Sequence, residues 1–261
     1  KLSSIASSLQ EYIPSVVLAK RLREVRSFTG FTRLVPGGEG VAVIQPDLGK
    51  IPRGKWLPAS ESYGEGIFLE FNEELLSKWE SEKSVTEHIA KTRERCEAAR
   101  AVWLPTPTPR FLALHTFAHG LIRQLTFDCG YPSSSLRERI YAQTSSEGEA
   151  MAGILIYTAS GDTEGSLGGL VRQGKGHRLI KSIMQTIENL LWCSSDPVCS
   201  ELQTGYGGIN SGACHACSLV SETSCEHSNL LLDRQLLVGS ESDDRIPGLL
   251  EKIANQLFER S

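Results

Sequence analysis

The stretch Ala213–Cys225, ACHACSLVSETSC, places three cysteines within twelve residues, two of them as the pair Cys214-His-Ala-Cys217. A Cys-x2-Cys pair sets two thiolates on one tight turn, from which both can reach a single tetrahedral ion. The glycines and serines around the pair supply little apolar material, and a long loop without its own core usually needs a staple. Zinc is expected rather than disulfides, because the sequence shows no secretory signal.

Five of the seven cysteines fall within 33 residues. The expected zinc ligands are Cys199, Cys214, Cys217 and Cys225. Cys193 competes with Cys199 for the first place, and His215 and His227 are weaker alternatives. A redox pair or free thiols are the other interpretation, although a redox pair is expected at the start of a helix after a strand. Four cysteine ligands leave no position for water, so the predicted metal is structural rather than catalytic.

The composition of the chain is ordinary for a soluble globular protein, with 261 residues, 40% hydrophobic and 22% charged. This length can bury one large core or two smaller ones. The net charge of −4 does not suggest a general polyanion binder, but it leaves room for local basic patches. A cytoplasmic location is expected, because no apolar run approaches the roughly 18–20 residues that span a membrane. The opening KLSSIASSLQ begins with Lys1 and predicts a fragment of a longer chain.

Hydrophobic periodicity predicts an α/β (α+β) fold, in which helices flank a small mixed sheet and the cysteine segment forms a C-terminal zinc subdomain. The predicted strands are Phe31–Val35, Val41–Gln45, Gly66–Phe71 and Met151–Ala159. The predicted helices are Ser15–Phe28, Asn72–Trp103, Phe111–Phe127, Leu230–Leu237 and Pro247–Phe258, together with a short helix that begins at the capping box Ser135-Leu-Arg-Glu138 and a helix that ends near Trp192. In the first of these helices Val16, Leu22 and Val25 are the expected core residues, and the second is expected to break near Ser84. The stiff TPTP connector at Thr106–Pro109 predicts a boundary between an N-terminal part, 1–105, and a zinc-binding domain, 106–261.

Two glycine-rich segments resemble ligand loops. Gly169–Gly176 nearly matches a P-loop, but Gly176 stands where Ser or Thr must follow the lysine, which favours a plain approach to a helix. The loop at 161–169 could present backbone N–H groups to a ligand, yet Asp162 and Glu164 disfavour a phosphate there.

His115 and His119 lie four residues apart and therefore on one helix face, as in zinc peptidases. The peptidase motif requires Glu directly after the first histidine, where this chain has Thr116. Histidines that satisfy hydrogen bonds inside or beside the core are the expected interpretation, and a second metal site is the alternative.

The segment Arg172–Lys181, RQGKGHRLIK, is locally positive. A solvated helix face is the default interpretation of such a segment. A nucleic-acid surface would use Lys175, Arg178 and Lys181 through salt-dependent phosphate contacts.

Three segments together resemble a known family: LHTFAHGLIRQL at 114–125, GILIYTASGDTEGSLGGL at 153–170, and the cysteine segment with its SNLLLDRQLL end at 228–237. They resemble the zinc-binding domain at the C-terminus of MrfA-type DNA-repair helicases, over roughly residues 110–240. The helicase relatives carry a Gly-Cys-Pro-x-Cys core, where this chain has Ala213–Cys217 after a long insert. The segment LREVRSFTGFTRL at 22–34 is similar to the B-subunit family of the DISARM bacterial anti-phage system.

The resemblance implies a non-motor accessory subunit with structural zinc. Such a subunit would pair with the helicase subunit of the same defence system and help it engage DNA. The alternative is a metal-dependent nuclease or hydrolase that uses His115, His119, Asp162 and Glu164. A non-enzyme is the expectation, because no intact ATPase or nuclease motif stands out.

Overall fold

The computed structural model describes residues 2–27, 31–33, 42–44, 57–146, 148–158, 168–240 and 245–259. Its helices are α1 (Leu2–Tyr12), α2 (Glu73–Glu80), α3 (Lys83–Ala98), α4 (Pro109–Cys129), α5 (Gly169–Gln173), α6 (His177–Leu191), α7 (Val198–Glu201), α8 (Gln235–Val238) and α9 (Glu251–Phe258). Its strands are β1 (Ser15–Ser27), β2 (Phe31–Arg33), β3 (Ala42–Ile44), β4 (Ala59–Glu70), β5 (Leu136–Tyr141), β6 (Gly153–Thr158), β7 (Gln203–Thr204) and β8 (Asn210–Ser211). The predicted fold class is confirmed: helices combine with a small sheet, here antiparallel, and a cysteine cluster lies in the C-terminal region.

The main sheet has four strands in the order β1-β4-β6-β5, and every neighbouring pair is antiparallel. Strand β6 lies inside the sheet with nearly all of its side chains buried, which confirms the strand predicted at Met151–Ala159. Ile67 of β4 lies opposite Ile156 of β6, and both are buried in the hydrophobic core. The apolar sequence of β6 therefore reflects burial on both faces of the sheet.

Helix α4 confirms the helix predicted at Phe111–Phe127 and carries both histidines of the predicted pair, His115 and His119. The hydroxyl of Thr108 accepts a hydrogen bond from the backbone N–H of Phe111, and proline occupies the first turn, where its missing N–H costs nothing. Nearly every residue of the helix up to Leu125 is buried. Gly120 lets helix α6 approach closely, because a Cβ there would lie 2.9 Å from side-chain carbons of Thr186 and Leu190.

The segment predicted as helix Ser15–Phe28 is strand β1, so this prediction was wrong. Of its three predicted core residues, Val16 and Val25 are exposed and Leu22 is only half-buried. Leu22 pairs with Gly64 of β4 across an irregularity in the register. Backbone pairing along the sheet therefore overrides the apolar spacing that resembles a helix.

The inward positions of β1 are partly polar, which hid the strand pattern. Glu24 and Arg26 are half-buried and form an ion pair of 2.8 Å. The hydroxyl of Tyr157 donates a 2.9 Å hydrogen bond to Glu24. Because two of the inward side chains are charged, the sequence lacks the apolar–polar alternation that indicates a half-buried strand.

The capping box predicted to begin a helix at Ser135-Leu-Arg-Glu138 was also wrong. A single 3-10 turn, Ser133–Ser135, leads directly into β5, which pairs with β6 along its whole length. Glu138 points into the core with 1% exposure. Sheet pairing and the polar partners of this carboxylate override the local signal.

Several other segments agree with their predicted elements. The helical region Asn72–Trp103 forms α2 and α3 with a break at residues 81–82, close to the predicted one. Strands β2, β3 and β4 overlap the three predicted N-terminal strands. Toward the C-terminus, α6 and α9 lie within their predicted helices, whereas the helix expected at Leu230–Leu237 is only the short α8. None of the helices in the described ranges has the length and apolar composition of a membrane span.

The division predicted between residues 105 and 106 runs through the main sheet, because β1 and β4 precede it and β5 and β6 follow it. One hydrophobic core includes buried residues from both sides. The rings of Phe71 and Phe117 pack edge to face across it, 5.5 Å apart. The indole N–H of Trp79 donates a 2.7 Å hydrogen bond to the carbonyl of Pro247. The two predicted parts therefore share their sheet and their core.

Candidate metal centres

Four thiols form the first centre, and their sulfur atoms lie within 4.8 Å of one another. They belong to Cys193, Cys199, Cys214 and Cys217. The sulfur–sulfur distances are 3.5 Å between Cys193 and Cys214, 3.7 Å between Cys199 and Cys217, and 3.8 Å between Cys214 and Cys217. A tetrahedral zinc with bonds of about 2.3 Å separates its sulfur ligands by about 3.8 Å. The spacing of the four thiols therefore fits zinc.

Short, adjacent elements position these thiols. Cys193 follows the end of α6, Cys199 lies on α7, and the turn after β8 carries Cys214 and Cys217. That turn is tight, because the carbonyl of Cys214 accepts the N–H groups of Cys217 at 3.2 Å and Ser218 at 2.9 Å. The side chains form a small buried cluster of their own, separate from the main core.

Hydrogen-bond donors face the sulfur atoms. The N–H of Ser195 donates to the sulfur of Cys193 at 3.4 Å, and the N–H of Cys214 donates to the sulfur of Cys217 at 3.3 Å. The hydroxyl of Ser218 lies 3.2 Å from the same Cys217 sulfur. Donors in this arrangement stabilise thiolate charge.

The pKa values of the thiols diverge. Burial opposes ionisation of Cys214, but hydrogen bonds from backbone N–H groups lower its pKa to about 7. Burial and the neighbouring Cys217 raise the pKa of Cys199. Four adjacent thiols cannot all ionise unless a cation compensates their charge, and a bound divalent metal provides this compensation.

The structure brings together three of the predicted zinc ligands, Cys199, Cys214 and Cys217. Cys193 completes the group, and Cys225 lies in a second group of side chains. The carbonyl of Ser224 accepts the N–H of Glu138, which holds the neighbouring Cys225 beside β5. The alternative ligand His215 is exposed.

The Leu-Asp-Arg sequence at 232–234 connects the loop that carries the thiol centre to neighbouring helices. The guanidinium of Arg234 forms a partly buried ion pair with Asp196 and donates to the carbonyl of Leu190 at 3.1 Å. Asp196 in turn accepts the N–H of Cys193 at 2.8 Å. Asp233 contacts the ring of His88 at 2.5 Å. The motif therefore ties the thiol loop to α6 and to α3.

The second group consists of His115, His119, Glu138 and Cys225, all of them buried, with one ligand atom each within 4.8 Å of the others. Sequence reasoning identified only the histidine pair, because Glu138 was assigned to a helix and Cys225 to the thiol centre. Burial acts to lower the pKa of His115, but the charge of Glu138 and hydrogen bonds to Cys225 and Glu138 raise it to about 10. Hydrogen bonds from the two histidines lower the pKa of the Cys225 thiol to about 7, against the effect of burial.

The P-loop-like segment is used internally. The carboxylate of Glu65, 1% exposed, accepts the N–H groups of Leu170 at 2.7 Å and Val171 at 3.2 Å. Backbone donors of this kind are the ones that would hold a phosphate in a P-loop. Residues 161–167 of the second glycine-rich loop, including Asp162 and Glu164, lie outside the described residues.

The predicted nucleic-acid residues Lys175, Arg178 and Lys181 are all exposed and lie at or just before the start of α6. Their neighbours Leu179 and Ser182 are buried. The three cationic side chains are therefore available to a ligand in solution.

Comparisons with known proteins agree with the thiol centre. The family described as MrfA Zn-binding domain matches residues 117–218. This range contains all four cysteines of the thiol centre and ends before Cys225. The DISARM protein DrmB of Bacillus paralicheniformis is 39% identical over 253 residues, which cover 91% of this chain and 43% of that protein. The chain thus spans less than half of this relative. The domain match and the four-thiol cluster together support zinc as the bound metal.

Proposed function

Because this chain contains an MrfA zinc-binding domain and is homologous to the DISARM protein DrmB over 91% of its length, we propose that it acts as a non-motor accessory subunit of an anti-phage defence complex. In this proposal it pairs with the helicase subunit of the same system and helps that subunit engage DNA. The identity of 39% over nearly the whole chain is the observation that carries the proposal.

A structural role for the zinc supports a non-catalytic subunit. Four protein thiols fill a tetrahedral coordination sphere and leave no position for a reacting water. The hydrolase alternative depended on His115 and His119, which are both 0% exposed. A substrate cannot reach these histidines in this conformation, so we do not propose that activity.

A groove beside the thiol centre is a candidate surface for the helicase. Phe127 and Trp192 line it and are 84% and 69% exposed. Arg123, also in its wall, donates to the carbonyls of Ala216 at 2.7 Å and Leu219 at 2.9 Å, which fixes the zinc turn. Large apolar side chains exposed together are typical of protein-binding surfaces.

The first experiment is co-purification of the protein with the helicase subunit of the same defence system, followed by measurement of helicase ATPase activity with and without DNA. We expect a stable complex with altered DNA-stimulated ATPase. Phe127→Ala/Trp192→Ala should weaken the complex at least tenfold, because aromatic anchors dominate such interfaces. The control is Phe258→Ala, a phenylalanine of similar exposure on α9. A protein that remains alone and leaves the ATPase unchanged would contradict the proposal.

The second experiment tests DNA contact through the basic residues at the start of α6. Replacing Lys175, Arg178 and Lys181 with Glu should weaken DNA binding by the complex. It should also reduce the slope of log affinity against log salt by up to about three, roughly one per lost phosphate contact. The charge-matched control replaces Lys78, Lys83 and Lys252, which are exposed on other helices, with Glu. An unchanged slope in the first variant would exclude this surface.

A further inference from the structure

The second group of side chains gathers four metal-binding atoms from three separate parts of the fold. The imidazoles of His115 and His119 come from successive turns of α4, the carboxylate of Glu138 from β5, and the thiol of Cys225 from the loop before α8. The Nε2 atom of His115 lies 2.9 Å from the Glu138 carboxylate and 3.3 Å from the Cys225 sulfur. The Nε2 atom of His119 lies 3.3 Å from the same carboxylate oxygen.

The outer nitrogens of the two rings determine what the inner nitrogens can do. The Nδ1 atom of His115 faces the carbonyl of Leu231 at 3.2 Å, and the Nδ1 atom of His119 faces the carbonyl of Ser218 at 2.9 Å. A carbonyl oxygen only accepts hydrogen bonds, so both Nδ1 atoms must carry the proton. In neutral imidazoles the lone pairs of both Nε2 atoms then point at a carboxylate and a thiol. Metal-bound histidines usually have this arrangement of one nitrogen inward and the other donating to a carbonyl.

The carboxylate of Glu138 and the sulfur of Cys225 also point toward the space that the two Nε2 atoms face. One carboxylate oxygen of Glu138 contacts both histidines, and the other is buried with no hydrogen-bond partner among the described residues. A carboxylate this deeply buried is strongly destabilised unless a cation compensates it. The sulfur of Cys225 accepts the N–H groups of His227 at 3.3 Å and Asn229 at 3.4 Å. Cys193 in the thiol centre accepts an N–H from two residues further on in the same way.

We propose that His115, His119, Glu138 and Cys225 bind a second divalent ion, best matched by zinc, inside the core. Two imidazoles, a carboxylate and a thiolate form the mixed nitrogen, oxygen and sulfur set that suits a borderline ion. A thiolate and a carboxylate balance the charge of the ion, while the protons they and the imidazoles carried are released to solvent. A tetrahedral ion with bonds of about 2.1 Å separates its nitrogen and oxygen ligands by about 3.4 Å, so only a small outward shift is required.

The second ion has a structural role. All four ligands come from the protein and are buried, so the site has no open position for a substrate. The ion joins the centre of α4 to β5 and to the loop that leads into the Leu-Asp-Arg motif. The competing arrangement is a metal-free network in which the same four side chains share protons.

Metal content distinguishes the two arrangements. After gel filtration without chelator, the wild-type protein should contain about two zinc ions per chain by elemental analysis. Cys225→Ser and Glu138→Gln should each contain about one, because each removes a ligand of the second site alone. Cys96→Ser, which alters a half-buried cysteine on α3 outside both groups, should keep two. One zinc in the wild type, lost in Cys214→Ser, would overturn the proposal, as would a second zinc that both second-site variants retain.

X-ray absorption at the zinc edge gives an answer that does not require a variant to fold. Two occupied sites, one with four sulfur ligands and one with a single sulfur, average about 2.5 sulfur ligands per zinc. A thiol centre alone gives about four, and this value in wild-type protein would exclude the second ion.

Discussion

The two metal-binding groups collect the same number of ligand atoms by different routes. The thiol centre lies within residues 193–217, on short elements and turns whose side chains form a small cluster outside the main core. The His–Glu–Cys group joins residues up to 110 positions apart and lies among the buried side chains of α4 and β5. One group is local in sequence and lies outside the main core, and the other is distant in sequence and lies among buried side chains of the main core.

This difference indicates what each metal contributes. The loop around the thiol centre has little apolar surface to bury, so the free energy of zinc binding must supply much of its stability. The elements around the His–Glu–Cys group are already held by buried residues such as Leu112, Leu121 and Leu136. Loss of metal should therefore unfold the first region and leave the backbone of the second region in place.

The largest effect should follow metal removal. In protein treated with a strong chelator at neutral pH, we expect amide hydrogen exchange in residues 193–217 to accelerate at least a thousandfold. Structural zinc supplies about 10–16 kcal/mol of apparent binding free energy in small zinc domains. Exchange in α4 and β5 should change by less than about tenfold, because their protection depends on the core.

Three controls complete this experiment. Re-addition of zinc should restore protection, and Cys214→Ser should reproduce the chelated state without chelator. Cys96→Ser should leave the exchange pattern unchanged. Equal loss of protection in both regions would mean that the fold does not distinguish them as described.

The next effect tests the connection behind the thiol centre. Arg234→Ala is expected to lower the free energy of unfolding by about 2–3 kcal/mol, because it removes the charged hydrogen-bond partner of the partly exposed Asp196. Arg234 is 4% exposed, so water cannot easily replace it. Zinc affinity should fall about 10- to 100-fold, as for other residues that orient metal ligands. Chemical denaturation and competition with a chromogenic chelator measure the two quantities.

Arg234→Lys separates charge from geometry. Lysine keeps the positive charge but cannot form the forked contact with Asp196 and the carbonyl of Leu190. Its effects should lie between those of the wild type and Arg234→Ala. A variant as stable as the wild type with unchanged zinc affinity would show that Asp196 holds the loop alone.

The sequence predicted the thiol centre better than the second group for a physical reason. Cys214 and Cys217 are close in the chain, so their spacing alone brings them to one ion. The sequence left Cys193 and Cys199 as competitors for the first ligand and took Cys225 as the fourth, whereas the structure groups both competitors with Cys214 and Cys217. The position of Cys225 depends on the path of the loop after Ser218, and spacing carries no information about that path. The second group additionally required Glu138 to face α4, which only the pairing of β5 with β6 determines.

The main sheet shows the same limit. The apolar residues of β6 were sufficient to predict that strand, because both of its faces are buried. Strand β1 was predicted as a helix because its inward positions include the ion pair of Glu24 and Arg26, and Glu24 also accepts a hydrogen bond from the distant Tyr157. Local periodicity identifies elements that bury apolar side chains and misses those whose inward side chains are satisfied by distant polar groups.

The smallest effect concerns a buried charge that is held without metal. The guanidinium of Arg110, 1% exposed, forms ion pairs with Glu73 at 2.7 Å and Glu80 at 2.5 Å. It also donates to the carbonyl of Gln143 at 3.0 Å, which links α4 to the end of β5. Because protein groups alone compensate this cation, the contribution of Arg110 to the stability of the protein should not change when chelator is added.

Glu73→Gln should reduce stability by less than about 1 kcal/mol at neutral pH, since the carboxylate is partly exposed and solvent screens the pair. Burial opposes ionisation of Glu73, but hydrogen bonds from Arg110 and Ser77 lower its pKa below the ordinary value of 4.5. A lowered folded-state pKa contributes stability above the unfolded value and loses it as the pH falls through the folded value. The difference between wild type and Glu73→Gln should therefore be constant above about pH 5.5 and shrink below about pH 4.5. Acid protonation of zinc ligands affects both proteins equally and cancels in this difference.

Glu74→Gln, on the exposed side of the same helix, is the matched control for this prediction. A similar acid trend in that variant would assign the effect to general surface charge rather than to Arg110.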